Sequence, residues 1–436
     1  MILLRVTEDH QKSHHAVREV LSLCSDMERR DRAFAKRCAE GTLDYLIRLD
    51  YVLGRYSKRP PFLLKPLIRG ILRMSLYQLL YMDRVPERAV CSEAVELAKL
   101  HGLVGLSGYV NAVLRAAARD RAAHADRLFA VSEPWTELSL PKWLYKKLED
   151  TYGTEGTRSI AESWLCERPC VVRLNRSRRT PEEVEESLRR ASVSFKRLPA
   201  DAFFREHGMQ LSEEELPVLY ALPDLSGLSG LPAFMDGSLQ PQDMSSTIPA
   251  LLCAPQNGDY ILDVCAAPGG KSLQLADMLM QKAETGLIEA RDISPKKVEL
   301  IEENIRRSGF SSIRTRVLDA LMLSEDSLFR ADIVLADVPC SGLGIAGRKP
   351  DIKLNLKTYS ISELQSLQRD ILQVVSRYVK PHGKLVYSTC TITAEENEEN
   401  ALYIASELGF QLEKQVKVLP SQEHDGFFAA LFRRKF

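Results

Sequence analysis

Two short motifs put a cysteine where chemistry can happen. Asp337-Val338-Pro339-Cys340-Ser341-Gly342 directly follows one apolar run, and Ser388-Thr389-Cys390-Thr391 ends another. Upstream, Asp263-Val264-Cys265-Ala266-Ala267-Pro268-Gly269-Gly270-Lys271-Ser272 leads from an apolar run into a helical pattern. A glycine turn at the mouth of a helix lets backbone N–H groups approach a ligand closely. Two phosphate motifs fail on this loop. A Walker A loop ending at Gly270-Lys271-Ser272 needs glycine where Cys265 stands, and G-x-G-x-x-G fails because only Gly269 and Gly270 are present. Asp292 comes 22 residues after Gly270, where an acid gripping ribose hydroxyls is expected in nucleoside-binding folds. With Asp263, Asp319 and Asp337 it makes four acids that close apolar runs, a pattern that favours a nucleoside cofactor over four separate helix caps.

A thiol beside a nucleoside cofactor narrows the chemistry. C5 of cytosine is a poor nucleophile, but a thiolate that adds to C6 makes an enamine whose C5 can attack a methyl sulfonium. A base must then take the C5 proton before the thiol can leave, and an acid such as Asp337 near N3 would stabilise the charge of the adduct. Residue types alone do not say which of Cys340 and Cys390 attacks. Cys24, Cys38, Cys91, Cys166, Cys170 and Cys253 read as small hydrophobes, and with no C-x-x-C pair in the chain no metal is expected.

Positioning these residues takes a sheet. From residue 258 the runs Tyr260 to Cys265, Gly286 to Asp292, Ile313 to Asp319, Ala331 to Asp337 and Gly383 to Cys390 alternate with helical patterns. That alternation predicts a Rossmann-like, doubly wound parallel sheet, in which the fourth and fifth strands are neighbours and Cys340 and Cys390 open into one crevice. Residues 10–130 instead repeat apolar positions at three and four, the grammar of an all-α helical bundle. Within it Ile68, Leu72, Leu76 and Leu79 share one stripe, and Arg69 and Arg73 share another that faces either solvent or RNA. Residues 131–168 read as a helical connector. A small α/β subdomain follows: a strand over 171–175, an N-cap at Thr180 with Pro181 and an acidic first turn, and a strand over 194–198, ending near a Pro/Gly/Ser-rich stretch at 223–238. The resulting division is 1–130, 131–240 and 241–436.

Lysine plus arginine equals aspartate plus glutamate at 59 each, yet residues 1–130 hold 22 basic against 15 acidic side chains, so the positive charge gathers at the N-terminal end. An odd count of nine cysteines, spread thinly, fits a reducing compartment. The start lacks a signal-type segment, and no apolar stretch reaches the roughly 18 residues that span a bilayer. A cytoplasmic monomer without a membrane partner is expected.

D-V-C-A-A-P-G-G-K-S, D-V-P-C-S-G-L-G and S-T-C-T, with Gln242-Asp243 upstream and Asp425-Gly426-Phe427-Phe428 near the C-terminus, resemble the NOL1/NOP2/Sun class of RNA 5-methylcytosine methyltransferases. The N-terminal part resembles the NusB-like RNA-binding fold, through Asp31-Arg32-Ala33-Phe34, Ile71-Leu72-Arg73, Tyr77-Gln78-Leu79 and Val110-Asn111-Ala112-Val113-Leu114-Arg115. The combination resembles the RsmB/Sun type, which methylates 16S rRNA. The resemblance implies S-adenosyl-L-methionine as cofactor, held by Cys265, Ala266, Ala267, Pro268, Gly269, Gly270 and Lys271, with Asp292 on the ribose, Asp319 near the adenine and Asp337 at the reactive edge. It makes Cys390 the nucleophile and Cys340 the residue that assists release. Arg348, Pro350, Asp351 and Lys353 also match family positions, whereas Leu354 stands where an aromatic is usual, and His382 and Ser245 are mild departures. The implied partner is ribosomal RNA, at a single-stranded or loop cytosine. Two alternatives remain at this point: the same chemistry on tRNA or 23S rRNA, and a non-enzymatic NusB-like assembly or antitermination factor.

Overall fold

The computed structural model describes the chain apart from Ser25, Ala130, Ser132, residues 224–227 and Phe436, and apart from the side chains of residues 124–129. The boundary expected at residue 130 and part of the 223–238 stretch therefore lie outside the described residues. The chain forms two compact units. One takes residues 1–166 together with Ala346–Thr358, and the other takes Glu167–Ile345 with Tyr359–Phe436.

The first unit is helical and NusB-like. Its central helix, Pro66–Tyr81, starts on a proline, whose missing N–H costs nothing at that position. The stripe of Ile68, Leu72, Leu76 and Leu79 is buried against Leu49, Val52 and Leu53 of helix Leu46–Tyr56, Val90 and Ala94 of Glu87–Leu100, and Val110, Val113 and Leu114 of Val104–Phe129. Burying large aliphatic side chains at about 1.5–3 kcal/mol each supplies most of the energy that closes such a bundle. The arginine stripe is committed inward. Arg73 makes a two-pronged pair with Asp50 at 2.7 and 2.6 Å, and Arg69 reaches Glu8 at 2.6 Å. The connector is helical over Lys142–Leu165, broken at Gly153, whose φ of 69° lies in the left-handed region that glycine tolerates.

In the second unit a small antiparallel sheet comes first, built from β1 (Cys170–Leu174), β2 (Lys196–Arg197), β3 (Leu219–Leu222) and β4 (Leu239–Pro241) in the order β2-β3-β1-β4. The helix between β1 and β2 opens on the expected cap: Thr180 Oγ1 accepts from the Glu183 N–H, and the Glu183 carboxylate accepts from the Thr180 N–H. The two expected strands form, and β3 and β4 complete a sheet that two strands could not sustain alone.

The larger sheet contains β5 (Tyr260–Asp263), β6 (Leu287–Asp292), β7 (Ile313–Val317), β8 (Ala331–Asp337), β9 (Val379–Thr389), β10 (Phe410–Val418) and β11 (Phe427–Arg434), in the order β10-β11-β9-β8-β5-β6-β7. The five expected strands run parallel, while β11 and β10 add an antiparallel pair beyond β9, so the Rossmann-like sheet is mixed. Ile333 and Leu335 of β8 enter one core and Val334 and Ala336 the other, which is why this strand reads as continuously apolar.

The segment Ala346–Thr358 leaves the order of the sequence. It follows the Cys340 loop in the chain but packs within the helical unit. There Asp351 accepts from Ser13 Oγ, Leu354 joins the cluster of Ile2, Val6, Ala16 and Leu43, and the fully buried Lys353 donates to the Asp44 carbonyl at 2.8 Å. Leu354 suits that apolar cluster, and the matched positions Asp351 and Lys353 serve as anchors. Burial pushes the Lys353 ammonium down to about 8, below the 10.5 of a free lysine. Between these values the unfolded chain binds more protons, so the contribution of Lys353 makes stability rise with pH. From pH 8 to 10.5 we expect denaturant unfolding of the wild type to gain up to about 3 kcal/mol from this group, and Lys353→Met to lose that slope; an unaltered slope would contradict the burial argument.

Candidate active site

β8 and β9 pair in register, with Asp337 opposite Ser388, and the two chains stay together past their ends. The Val338 N–H donates to the Ser388 carbonyl at 3.2 Å, and the Gly344 N–H donates to the Cys390 carbonyl at 3.0 Å. This convergence places Cys340 Sγ and Cys390 Sγ 3.4 Å apart, both as free cysteines. The hydrogen bond to Cys390 pushes the Cys340 thiol well up from its ordinary range, and burial and the nearby charges of Cys390, Glu396 and Asp337 push the same way. The Cys340 thiol is therefore held protonated beside Cys390 Sγ.

What holds the two loops together is a residue that the sequence reading missed. Glu396 is fully buried, and its carboxylate accepts four hydrogen bonds. Oε1 takes the Ser341 N–H at 2.8 Å and Gln368 Nε2 at 3.0 Å, while Oε2 takes Ser341 Oγ at 2.6 Å and Thr393 Oγ1 at 2.7 Å. Gln368 also donates to the Pro339 carbonyl at 3.0 Å, and Ser341 Oγ lies 2.6 Å from Thr391 Oγ1. A buried carboxylate is tolerable when donors satisfy its oxygens, as they do here. In sequence, Glu395-Glu396-Asn397-Glu398 reads as a solvated acidic turn; no signal in it separates the buried glutamate from its neighbours. The C-terminal motif braces the same loops from another side. The Gly426 N–H donates to the Gly344 carbonyl at 2.8 Å, and a Cβ on Gly344 would sit 2.1 Å from the Gly426 carbonyl oxygen, so nothing larger than glycine fits. Asp425 pairs with buried Arg168 at 2.7 Å, and Gln242 accepts from Arg173 at 2.8 Å; both motifs are structural here.

On the near side of the sheet, Lys271 Nζ donates to Asp337 Oδ2 at 2.6 Å and Ser388 Oγ to Oδ1 at 2.8 Å. Burial opposes the charge on Lys271, but the Asp337 carboxylate outweighs it, with smaller help from Asp263 and Cys390, and the ammonium is held above its ordinary range. The loop after β5 turns through Gly269, at φ 100°, into helix Gly270–Gln281. Asp292 ends β6 and accepts from the Ala267 N–H at 3.2 Å, which fixes the loop against that carboxylate. Asp263 takes Ser272 Oγ at 2.6 Å on one oxygen, whereas its other oxygen is buried without a partner. Desolvation raises its carboxyl to about 7. Burial also pushes the Cys265 thiol up, which makes it a poor nucleophile. Asp319 stands two residues beyond β7, half-buried, with Oδ1 accepting from the Leu321 N–H at 3.0 Å. Cys265 to Lys271, Asp292, Asp337, Cys340 and Cys390 thus lie along one edge of the sheet, while Arg348, Pro350, Asp351 and Lys353 belong to the helical unit.

Comparison with known proteins gives this edge a context. A family model described as 16S rRNA methyltransferase RsmB/F matches residues 250–433, a NusB family model matches residues 1–119, and an RsmF/B-like ferredoxin-like domain matches residues 140–209. The chain is 32% identical over 402 residues to the probable ribosomal RNA small subunit methyltransferase B of Bacillus subtilis, covering 91% of this chain and 85% of that one. The chain belongs to this methyltransferase B family. It is also 30% identical to the ribosomal RNA small subunit methyltransferase B of Proteus mirabilis, over 93% of this chain and 91% of the relative. Among solved structures, PH0851 shares its fold at a TM-score of 0.78 and 24% identity, covering 99% of this chain and 97% of its own. NSun6 from Pyrococcus horikoshii, solved with SFG, shares the fold at a TM-score of 0.57 and 23% identity over 68% of this chain and 98% of its own.

Membership of the family makes the chain an S-adenosylmethionine-dependent RNA methyltransferase and sets aside the non-enzymatic alternative. The residues present fit that cofactor. The unpartnered oxygen of Asp263 and the carboxylate of Asp292 suit a ligand rich in N–H and O–H donors, and the space beside the Gly270 Cα is open. No helix among the described residues is long and apolar enough to cross a membrane. Replacing Glu396 by glutamine sets an NH2 group against two donors, so Glu396→Gln is expected to lower unfolding free energy by about 2–3 kcal/mol in urea titration. A loss below about 0.5 kcal/mol would mean that the carboxylate is not the clamp.

Proposed function

We propose that the chain transfers a methyl group to C5 of a cytosine in 16S rRNA through a covalent bond between Cys390 and C6. The observation that carries this reading is the pair of free sulfurs 3.4 Å apart at the carboxyl ends of two adjacent parallel strands. Cys390 is taken as the nucleophile, as the resemblance implies; beside it the Cys340 thiol is pushed up by its hydrogen bond to Cys390 and by burial, and the Lys271 ammonium adds positive charge to the crevice. The thiolate lone pair forms the S–C6 bond, and the C5=C6 electron pair moves into the ring, which makes C5 nucleophilic. When bound, S-adenosylmethionine supplies an electrophilic methyl group. Asp337, held at both oxygens by Lys271 and Ser388, is fixed at the reactive edge to accept from the N–H groups of the base, and the Lys271 ammonium beside it offsets the negative charge that develops on the adduct. Transfer of the C5 proton to a base in the crevice leaves the C5–H electron pair to re-form C5=C6 as the S–C6 bond breaks, and that bond's pair returns to Cys390 as the thiolate. Cys340 serves this release. Its Sγ, 3.4 Å from that of Cys390, lies beside the bond that breaks.

In this reading the loop Cys265–Lys271, Asp292 and Asp319 hold the cofactor, residues 1–130 and the 169–240 subdomain hold RNA, and residues 241–436 carry out the transfer. A cytosine must be unstacked to receive the thiolate, so the target is a single-stranded or loop position. The chain acts as a monomer in the cytoplasm. Cys390→Ala is expected to abolish methylation of 16S rRNA, a loss of at least about a thousandfold, while calorimetry finds S-adenosylmethionine binding within about threefold of wild type. Methylation by Cys390→Ala at a rate near wild type would overturn the mechanism.

A further inference from the structure

Helices Leu46–Tyr56 and Pro66–Tyr81 are joined by Ser57-Lys58-Arg59-Pro60-Pro61-Phe62-Leu63-Leu64-Lys65. Residues 51–82 contain no aspartate or glutamate but six lysines and arginines. Two of the six, Arg69 and Arg73, are already paired with Glu8 and Asp50. Lys58, Arg59 and Lys65 are exposed, and among the described residues none of the three has a carboxylate partner. Between them Phe62 is 74% exposed and Leu63 60%. Leaving a phenylalanine in water forgoes about 2 kcal/mol of burial, and nothing in the unit covers it.

The loop does not expose Phe62 by being loose. Ser57 Oγ takes the Arg59 N–H at 3.2 Å, bonds the Arg59 carbonyl and lies 2.6 Å from the Tyr109 hydroxyl. Pro60 and Pro61 open a tight turn closed by Leu63 N–H to the Pro60 carbonyl at 3.0 Å, Leu64 is buried as its anchor, and Arg69 Nη1 donates to the Phe62 carbonyl at 3.3 Å. A stiff turn is thus holding an aromatic ring outward among three unpaired cations. Nearby carboxylates are occupied: Glu8 by Arg69, and Asp120 by the Tyr56 hydroxyl at 2.8 Å.

We infer that this turn is a contact for single-stranded RNA, with a base stacked on Phe62 and backbone phosphates on Lys58, Arg59 and Lys65. Aromatic platforms ringed by cations suit unpaired nucleotides, because every base offers a π-face and every linkage a negative charge. A protein partner fits less well, since lysine is depleted from the centre of protein interfaces. The inference rests on the RNA-modifying reading above and names a surface for it.

The test uses the full chain and a fluorescein-labelled oligouridylate read by anisotropy across a salt series, with methylation of 16S rRNA by the wild type measured in parallel. Phe62→Ala is expected to weaken RNA binding by about five- to tenfold at each salt concentration with the slope unchanged, while S-adenosylmethionine affinity stays at the wild-type value. The triple change Lys58→Ala, Arg59→Ala and Lys65→Ala is expected to flatten the slope of log K against log salt by about 2. Both losses would support the inference whether or not the cytosine chemistry holds. Wild-type affinity and slope in both variants, in a preparation whose wild type methylates 16S rRNA, would overturn it, move the exposed ring to a protein contact and leave the function reading standing.

Discussion

Holding two free thiols within hydrogen-bonding distance is the constraint on which the catalytic unit depends. Sulfur is large and poorly hydrated, and two backbone segments must converge from adjacent strands before the atoms can meet at 3.4 Å. The sheet brings them near by its parallel register, but register ends at Asp337 and Ser388. Beyond that point the work passes to a buried carboxylate. Glu396 collects donors from the Cys340 loop, from the segment after Cys390 and from helix Ser360–Val375, and its charge also helps to keep the proton on Cys340. One residue thereby braces the loops that carry both sulfurs and adds to the charge that keeps Cys340 a thiol.

The rest of the unit can be read outward from this pair. Lys271 connects the loop that opens helix Gly270–Gln281 to Asp337, and Ser388 connects Asp337 to β9, so that loop and the cysteine strands share one carboxylate. Gly344 and Gly426 explain why the C-terminal motif exists: two backbones pass too close for any side chain, and β11 pairs with β9 beside Cys390. Asp263 contributes a different property, a buried carboxyl with one oxygen unsatisfied by the protein, the kind of cost that proteins carry at ligand sites.

Much of this was legible in the sequence, for a reason that differs from element to element. Strands β5 to β9 announced themselves as apolar runs between helical patterns, and adjacency of the fourth and fifth in a doubly wound sheet was enough to bring Cys340 and Cys390 together. The stripe of Ile68, Leu72, Leu76 and Leu79 followed from periodicity alone. Glu396 was illegible because an acidic residue in an acidic run looks solvated, and only tertiary packing reveals that donors surround it. The antiparallel β10 and β11 were missed because alternating patterns such as Phe410 to Val418 are weak beside fully buried strands. Segment Ala346–Thr358 was read with the loop that precedes it, since nothing in a linear motif says that Lys353 is anchored at Asp44. Arg69 and Arg73, left open between solvent and RNA, turned out to be ion-paired, and the unpaired cations lie in the preceding turn instead.

The most direct test of the covalent account mixes 16S rRNA transcript and S-adenosylmethionine with wild type, Cys340→Ala and Cys390→Ala, and looks for a protein–RNA adduct by denaturing electrophoresis. If Cys390 attacks and Cys340 serves release, the adduct accumulates with Cys340→Ala and is absent with Cys390→Ala. An adduct formed by Cys390→Ala, or none with Cys340→Ala from a preparation whose wild type methylates the RNA, would contradict the roles assigned to the two sulfurs.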